Sequence, residues 1–276
     1  MTTGLIVTMV LAVGIGLSLG LLGGGGTILA VPLLTYVAGM SPQEAIASSM
    51  FIIGVTSLIS VRAHARRSNV HWRTGLIFGG ASMVGAFGGG LLGSQLPGVV
   101  LMVAFSAMML ATALAMVLGR RTPGPTHAPP QLPITKIAVE GLVVGVVTGM
   151  VGAGGGFLVV PALVLLGGLS MPAAVGTSLL IIALKSFTGM AGYLTSVSID
   201  WIPVLMITGV TVIGAVVGSV LSRYVPDKAL KQAFGYFVLV MGVVVLLQEL
   251  HPGVGISGAA AIVVLLIVLK LRPAAR

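Results

Sequence analysis

Apolar residues run for about 20 positions at a time along this chain, separated by short polar stretches, and the runs recur nearly to its end. As a helix, such a run is about 30 Å long at 1.5 Å per residue, the thickness of a bilayer's hydrocarbon core. The pattern predicts two sets of helical elements: 4–22, 27–38, 43–62, 71–93 and 98–118, then 137–151, 157–166, 173–195, 201–221 and 229–247. A last apolar segment, 255–269, has no counterpart in the first set. Ten-residue stretches of alternating polarity, the mark of an outer-membrane barrel, do not occur. The expected fold class is an all-α integral membrane protein.

The second element of each set is too short to cross alone, since 27–38 covers only about 18 Å as a helix. Each follows a glycine cluster, and both clusters sit in nearly the same text. Gly16-x3-Gly20-x2-Gly23-Gly24-Gly25-Gly26-x5-Pro32 returns as Gly145-x3-Gly149-x2-Gly152-Ala153-Gly154-Gly155-x5-Pro161. The same spacing pairs Trp72 with Trp201, Gly85 with Gly214, Gly89 with Gly218, Pro97 with Pro226 and Phe105 with Phe234. The chain therefore reads as a duplication: a first transmembrane repeat over 1–119, a cytoplasmic linker over 120–136, a second repeat over 137–250 and a final helix within 251–276. The linker holds five of the fourteen prolines and is the long polar interruption in the chain.

Charge then orients the halves. The loop before 71–93 carries Arg62, Arg66, Arg67 and Arg73, whereas its counterpart 195–200 has no basic residue. The following loop reverses the bias: 94–98 is uncharged, but the equivalent stretch contains Arg223, Lys228 and Lys231. Basic loops stay on the cytoplasmic side, so the repeats are expected to be inverted, with the N-terminus outside and the C-terminus, carrying Lys270, Arg272 and Arg276, inside. Inversion needs an odd number of crossings per half. Three full helices plus a glycine-hinged pair that dips in and returns meets this, as do five crossings; the short second piece favours the dipping hairpin.

Composition agrees and excludes other classes. With 57% hydrophobic and 7% charged residues and a mean hydropathy of +1.18, there is too little polar surface to cover a soluble globule. The net charge of +9 comes from basic residues at helix ends without interleaved aromatics, which is topology and not nucleic-acid binding. Cysteine is absent, so thiol chemistry is excluded. No Ser/His pair or His/Glu cluster suggests an enzyme, and neither a cofactor nor a metal is expected. His64 and His71 fall in the basic loop and read as topological. Trp72 and Trp201 open equivalent helices as interfacial anchors.

The candidate chemistry lies where polarity interrupts the helices. Glycine clusters expose backbone N–H groups, and the half-helices beginning at Thr27 and Gly156 aim positive dipole ends at the same region, which favours an anion. Glycines four apart, such as Gly85 and Gly89 or Gly214 and Gly218, read as helix-packing positions. Hydroxyls follow at matching places, Ser48 and Ser49 after Pro42, Thr177 and Ser178 after Pro172. Lys185 lies near the centre of 173–195, where burying a cation costs at least about 2.5–3.5 kcal/mol. It faces an anion, a cavity or the carbonyls of an unwound segment. It shares a helix face with Ser178, two turns away. Its match in the first repeat is Val55. Glu44, Glu140 and Asp200 lie near helix ends.

These paired glycine motifs, each followed by a Pro-led helix with a Ser at Ser48 or Ser178, resemble the TauE/SafE sulfite exporter family, the TSUP permeases, over about residues 4–247. The resemblance implies a bacterial or archaeal inner-membrane carrier for sulfite or small organosulfonates. It points to Gly23, Gly24, Gly25, Gly26, Thr27, Ser48, Ser49, Gly152, Gly154, Gly155, Gly156, Thr177 and Ser178 as the substrate site. Lys185 joins them on its depth alone. A permease or channel for another small anion, such as a carboxylate, is the alternative. The residues leave open whether a proton or sodium ion is coupled and whether the chain forms homo-oligomers.

Overall fold

The computed structural model describes residues 2–118, 134–152, 155–166 and 168–250, and every regular element among them is helical. Linker residues 120–133, the helix 255–269 and Gly154 lie outside the described residues. In chain order the elements are α1 (Thr2–Leu22), α2 (residues 23–37), α3 (Pro42–Ala65), α4 (Trp72–Gly93), α5 (Gly98–Leu118), α6 (Ile134–Val151), α7 (residues 156–166), α8 (Met171–Tyr193), α9 (Trp201–Leu221) and α10 (Asp227–Leu250). Of these, α3, α4, α5, α6, α8 and α9 are long and apolar enough to cross a membrane.

The two short elements are composite. α2 is a 3-10 helix over Gly23–Leu29, a single α-turn over Ala30–Pro32 and a π-helix over Leu33–Val37. α7 is α-helical over Gly156–Pro161 and then π-helical over Ala162–Leu166. In both, the wide turn begins right after the proline. Proline has no N–H to donate and its ring crowds the carbonyl four residues back, so the ladder loosens there. The glycine cluster of the first repeat is not itself unwound: the break is at Gly23, whose φ is +60°, and the chain is helical again from that residue. In the second repeat Gly152, at φ +78°, and Gly155, at φ +59°, both take left-handed backbone.

Glycine faces set the helix pairs. Gly16 and Gly20 of α1 lie against the backbone of Thr211 and Ala215, then Ala215 and Ser219, of α9. Residue numbers rise together, so α1 and α9 run parallel. Gly85 and Gly89 of α4 meet Leu142 and Val146, then Val146 and Met150, of α6, also in parallel. Four-residue glycine spacing on both partners lets backbones approach closely, which is how helices associate where lipid removes the hydrophobic drive. Each pair joins the first helix of one half to the fourth helix of the other.

α3 and α8 form the centre, with 72% and 78% of their spanning windows buried against 33–44% for the other spanning helices. They run antiparallel: Met50 meets Gly189, Gly54 meets Ser186 and Phe187, and His64 meets Gly176. α3 is parallel to α9, since Phe51 stacks edge-on against Trp201 with ring centroids 5.2 Å apart while Arg67 reaches Ser219. Because α1 and α3 both follow α9, α2 carries the chain back along α1, and Gly26 packs on the Leu19 backbone. The outer faces of α4 and α9 present large apolar side chains such as Val84, Leu76, Ile202 and Ile213, as lipid contact requires.

His64 departs from its expected place in an exposed basic loop. α3 continues three residues beyond 62, and the imidazole is only 2% exposed. The helix end stays inside because Gly176 of α8 leaves room for it.

Candidate functional site

The two glycine segments pass side by side. Gly24 and Gly156 touch backbone to backbone, each filling the space that a Cβ on the other would need. Beyond this crossing each segment runs onto the central helix of the other half. Gly23 rests on Val175 and Ser178 of α8, and Gly152 rests on Ile46 of α3. Ser49 Oγ lies 2.9 Å from the Gly152 carbonyl oxygen and 2.8 Å from that of Ile46, so its one proton is shared between the opposite repeat and its own helix. Ser178 donates to its own Val175 carbonyl at 2.8 Å.

These contacts also correct the repeat register. The prolines Pro42 and Pro172 match Lys185 to Val55, but Ile46 and Ser49 meet Gly152 as Val175 and Ser178 meet Gly23. Lys185 therefore corresponds to Thr56. Pro42 is the first residue of its helix and Pro172 the second of its own. Any first-turn position tolerates proline, because those N–H groups have no partner within the helix, so proline does not fix register.

Lys185 projects to the second glycine segment. Its ammonium is buried, with the residue 2% exposed, and donates to Thr148 Oγ1 at 2.6 Å. Thr148 passes its own proton to the Val144 carbonyl at 2.6 Å. A Cβ on Gly155 would fall on the Lys185 nitrogen, so that glycine makes the space the ammonium occupies. No carboxylate pairs with Lys185: the ion pair among the described residues is Lys136 with Glu140, 4.0 Å apart at the start of α6. An ammonium has three protons to give, and here one protein oxygen takes one of them.

The remaining candidates divide. Gly25 belongs to the 3-10 turn of α2, and Gly26 packs on α1. Thr27 lies inside the helical segment, where its hydroxyl bonds the Gly24 carbonyl at 2.7 Å. Thr177 accepts from the His71 backbone N–H at 3.0 Å, at the far end of α8 from Lys185. Ser48 Oγ is buried without a hydrogen-bond partner. Thr148 is a site residue the sequence does not single out; its signal is a hydroxyl four residues before Gly152 in the otherwise apolar stretch 141–151. A recess of about 620 Å³ opens where α3 and α9 begin, bordered by Glu44 and Asp200, whose backbone N–H lies 3.5 Å from Glu44 Oε1. It does not reach Lys185.

The family model described as "Sulfite exporter TauE/SafE" matches residues 8–245. The chain belongs to that family. It is a multi-pass membrane transporter of the TauE/SafE family, whose relatives occur in bacteria and archaea. A probable membrane transporter protein of Xylella fastidiosa is 32% identical over 241 residues, covering 84% of this chain and 91% of that protein. The probable membrane transporter protein YdhB of Bacillus subtilis is 27% identical, covering 84% and 96%. One from Methanocaldococcus jannaschii is 25% identical, covering 84% and 93%. No solved structure matches this TauE/SafE chain.

Proposed function

We propose that this transporter carries sulfite or a small organosulfonate anion, held at the crossing of the glycine segments by Lys185. The observation that carries the reading is a buried ammonium, 2% exposed, whose protein contact is the neutral Thr148 hydroxyl. A cation at bilayer depth without a counter-charge costs several kcal/mol, and an anion removes that cost while taking up the free ammonium protons. A sulfonate or sulfite suits the place because its oxygens can accept from Lys185 and from glycine N–H groups together. The family's printed description, sulfite exporter, points to the same chemistry.

Alternating access follows from the same layout. Lys185 is shut off in this conformation, so release needs one glycine hairpin to shift against the central α3–α8 pair. The antiparallel course of α3 and α8, and the exchange of first and fourth helices between halves, support inverted repeats related by an axis in the membrane plane. With the basic loop at 66–73 cytoplasmic, the N-terminus is outside and the C-terminus inside a bacterial or archaeal inner membrane.

Counterflow of labelled sulfite in proteoliposomes, competed by sulfonates, carboxylates and inorganic anions, tests the reading. Competition confined to sulfite and sulfonates is expected. Competition by carboxylates alone would move the substrate to that class, and conduction without counterflow would make the protein a channel.

A further inference from the structure

The second half of α3 carries buried polar atoms that make no well-aligned hydrogen bond, and they fall on one face. Ser57 Oγ and Ser60 Oγ lack partners and the His64 ring nitrogens make no well-aligned hydrogen bond, the Gly20 backbone being the polar group beside them, at 0%, 1% and 2% residue exposure. Their spacing of three and then four residues stacks them along one side of the helix. Ser219 Oγ of α9 is likewise buried and unpartnered. It belongs to the same end of the bundle: Arg67 Nη1 donates to the Ser219 carbonyl at 2.9 Å, and Gly20 packs on the Ser219 backbone while lying beside the His64 ring. The imidazole lies within reach of the Gly20 backbone of α1, and Gly176 of α8 packs on the His64 Cβ.

Unsatisfied polar groups at membrane depth each cost several kcal/mol, and native proteins satisfy them with water or an ion. The antiparallel register places the row between two known levels. Gly54 stands opposite Ser186, the residue after Lys185, and His64 stands opposite Gly176 near the start of α8. Ser57, Ser60 and His64 thus lead from the level of Lys185 to the end of α3, where Arg66 and Arg67 begin the basic loop.

We propose that His64 is the proton-binding site of this transporter, and that Ser57, Ser60 and Ser219 hold the water through which it exchanges protons with the basic-loop face. The proposal rests on the anion reading of Lys185 and names the ion coupled to it. Imidazole is the group in this row that titrates between pH 5 and 8, and its two nitrogens let it receive a proton from water on one side and release it on the other. A metal ion does not fit: no group of three or more metal-binding side chains exists among the described residues. Each element around His64 contributes a different group. Arg67, just past the end of its own helix, is the charged neighbour; α1 offers the Gly20 backbone, α8 offers Gly176, and α9 approaches through the Ser219 carbonyl that Arg67 binds. Glu44 and Asp200 lie at the opposite end of α3, Glu140 pairs with Lys136, and Glu249 accepts from Tyr36 at 2.5 Å. One proton bound per anion carried lets a pH gradient drive accumulation.

Two measurements on the full chain decide it. In proteoliposomes, labelled sulfite uptake driven by an imposed pH gradient is divided by counterflow at matched pH, after subtracting entry into protein-free vesicles. His64→Gln is expected to lower that ratio at least about tenfold, as loss of the titrating group requires. An unchanged ratio would overturn the proposal. Nitrogen NMR of histidine-labelled protein, with His64→Gln to assign the signal, is expected to show the His64 ring changing protonation between pH 5 and 8. A ring that keeps one protonation state across that range would also overturn it. Absence of counterflow in the unmodified protein would count against the anion reading, and the NMR result still decides the proton site.

Discussion

Gly24 and Gly156, 132 positions apart in sequence, each stand where the other's side chain would be. This mutual exclusion fixes how deeply the two glycine segments interlock, and it places the Lys185 ammonium beside the same crossing through Gly155.

Adding one methyl group tests that crossing. Gly24→Ala and Gly156→Ala are expected to lower stability in detergent by about 1–3 kcal/mol, the usual cost of overpacking a tight contact. Gly80→Ala is the control, since nothing lies within 4 Å of a Cβ there. Thermal unfolding followed by size-exclusion chromatography gives the comparison, and equal stability of all three variants would remove the interlock.

Lys185→Met is expected to cut anion exchange at least about 30-fold, because truncating one member of a buried charged contact costs about 2 kcal/mol or more. Membrane yield should hold, since Thr148 keeps its bond to the Val144 carbonyl and no buried counter-charge is orphaned. Normal counterflow in this variant would take Lys185 out of the site.

The two equivalent serines should behave differently. Ser49→Ala removes a contact to the opposite repeat at Gly152 and is expected to cost about 1 kcal/mol of stability. Ser178→Ala removes a bond within its own helix and should be nearly neutral for folding. Paired thermal midpoints check this, and a reversed order would contradict the packing.

Helix direction and sidedness can be read with introduced cysteines, because the chain has none of its own. Met50→Cys with Gly189→Cys should cross-link, as should His64→Cys with Gly176→Cys, whereas Met50→Cys with Gly176→Cys should not. Membrane-impermeant labelling should reach Ser68→Cys from the cytoplasm alone and Ser198→Cys from outside alone, both positions being exposed. Labelling of both from one face would refute inverted repeats.

Much of the architecture is legible without coordinates. Element boundaries such as 98–118 and 201–221 coincide with the helices, because a bilayer demands a long apolar run and marks its ends with charge or proline. Glycine spacing likewise announced Gly85, Gly89, Gly214 and Gly218 as packing positions. It did not name their partners, which include the motif glycines Gly145, Gly16 and Gly20, since a small residue advertises closeness but not to what. The register of α8 against α3 was misplaced by one residue because proline, the visible landmark, is tolerated at more than one first-turn position. His64 reads as part of a solvated loop because of the neighbouring arginines, while Gly176, which packs on it, lies far off in sequence on α8.

Sequence alone determined that this chain is a helical membrane protein with a duplicated, glycine-broken element and one lysine out of place at membrane depth. Those are consequences of local chemistry: hydropathy, chain length and the cost of a buried charge act on a residue whatever its neighbours are. Tertiary structure alone decided that Gly24 meets Gly156, that Thr148 accepts a hydrogen bond from Lys185, and that His64 is buried against Gly176. Such pairings depend on which helix faces which, and helix faces are chosen by the packing of the whole bundle.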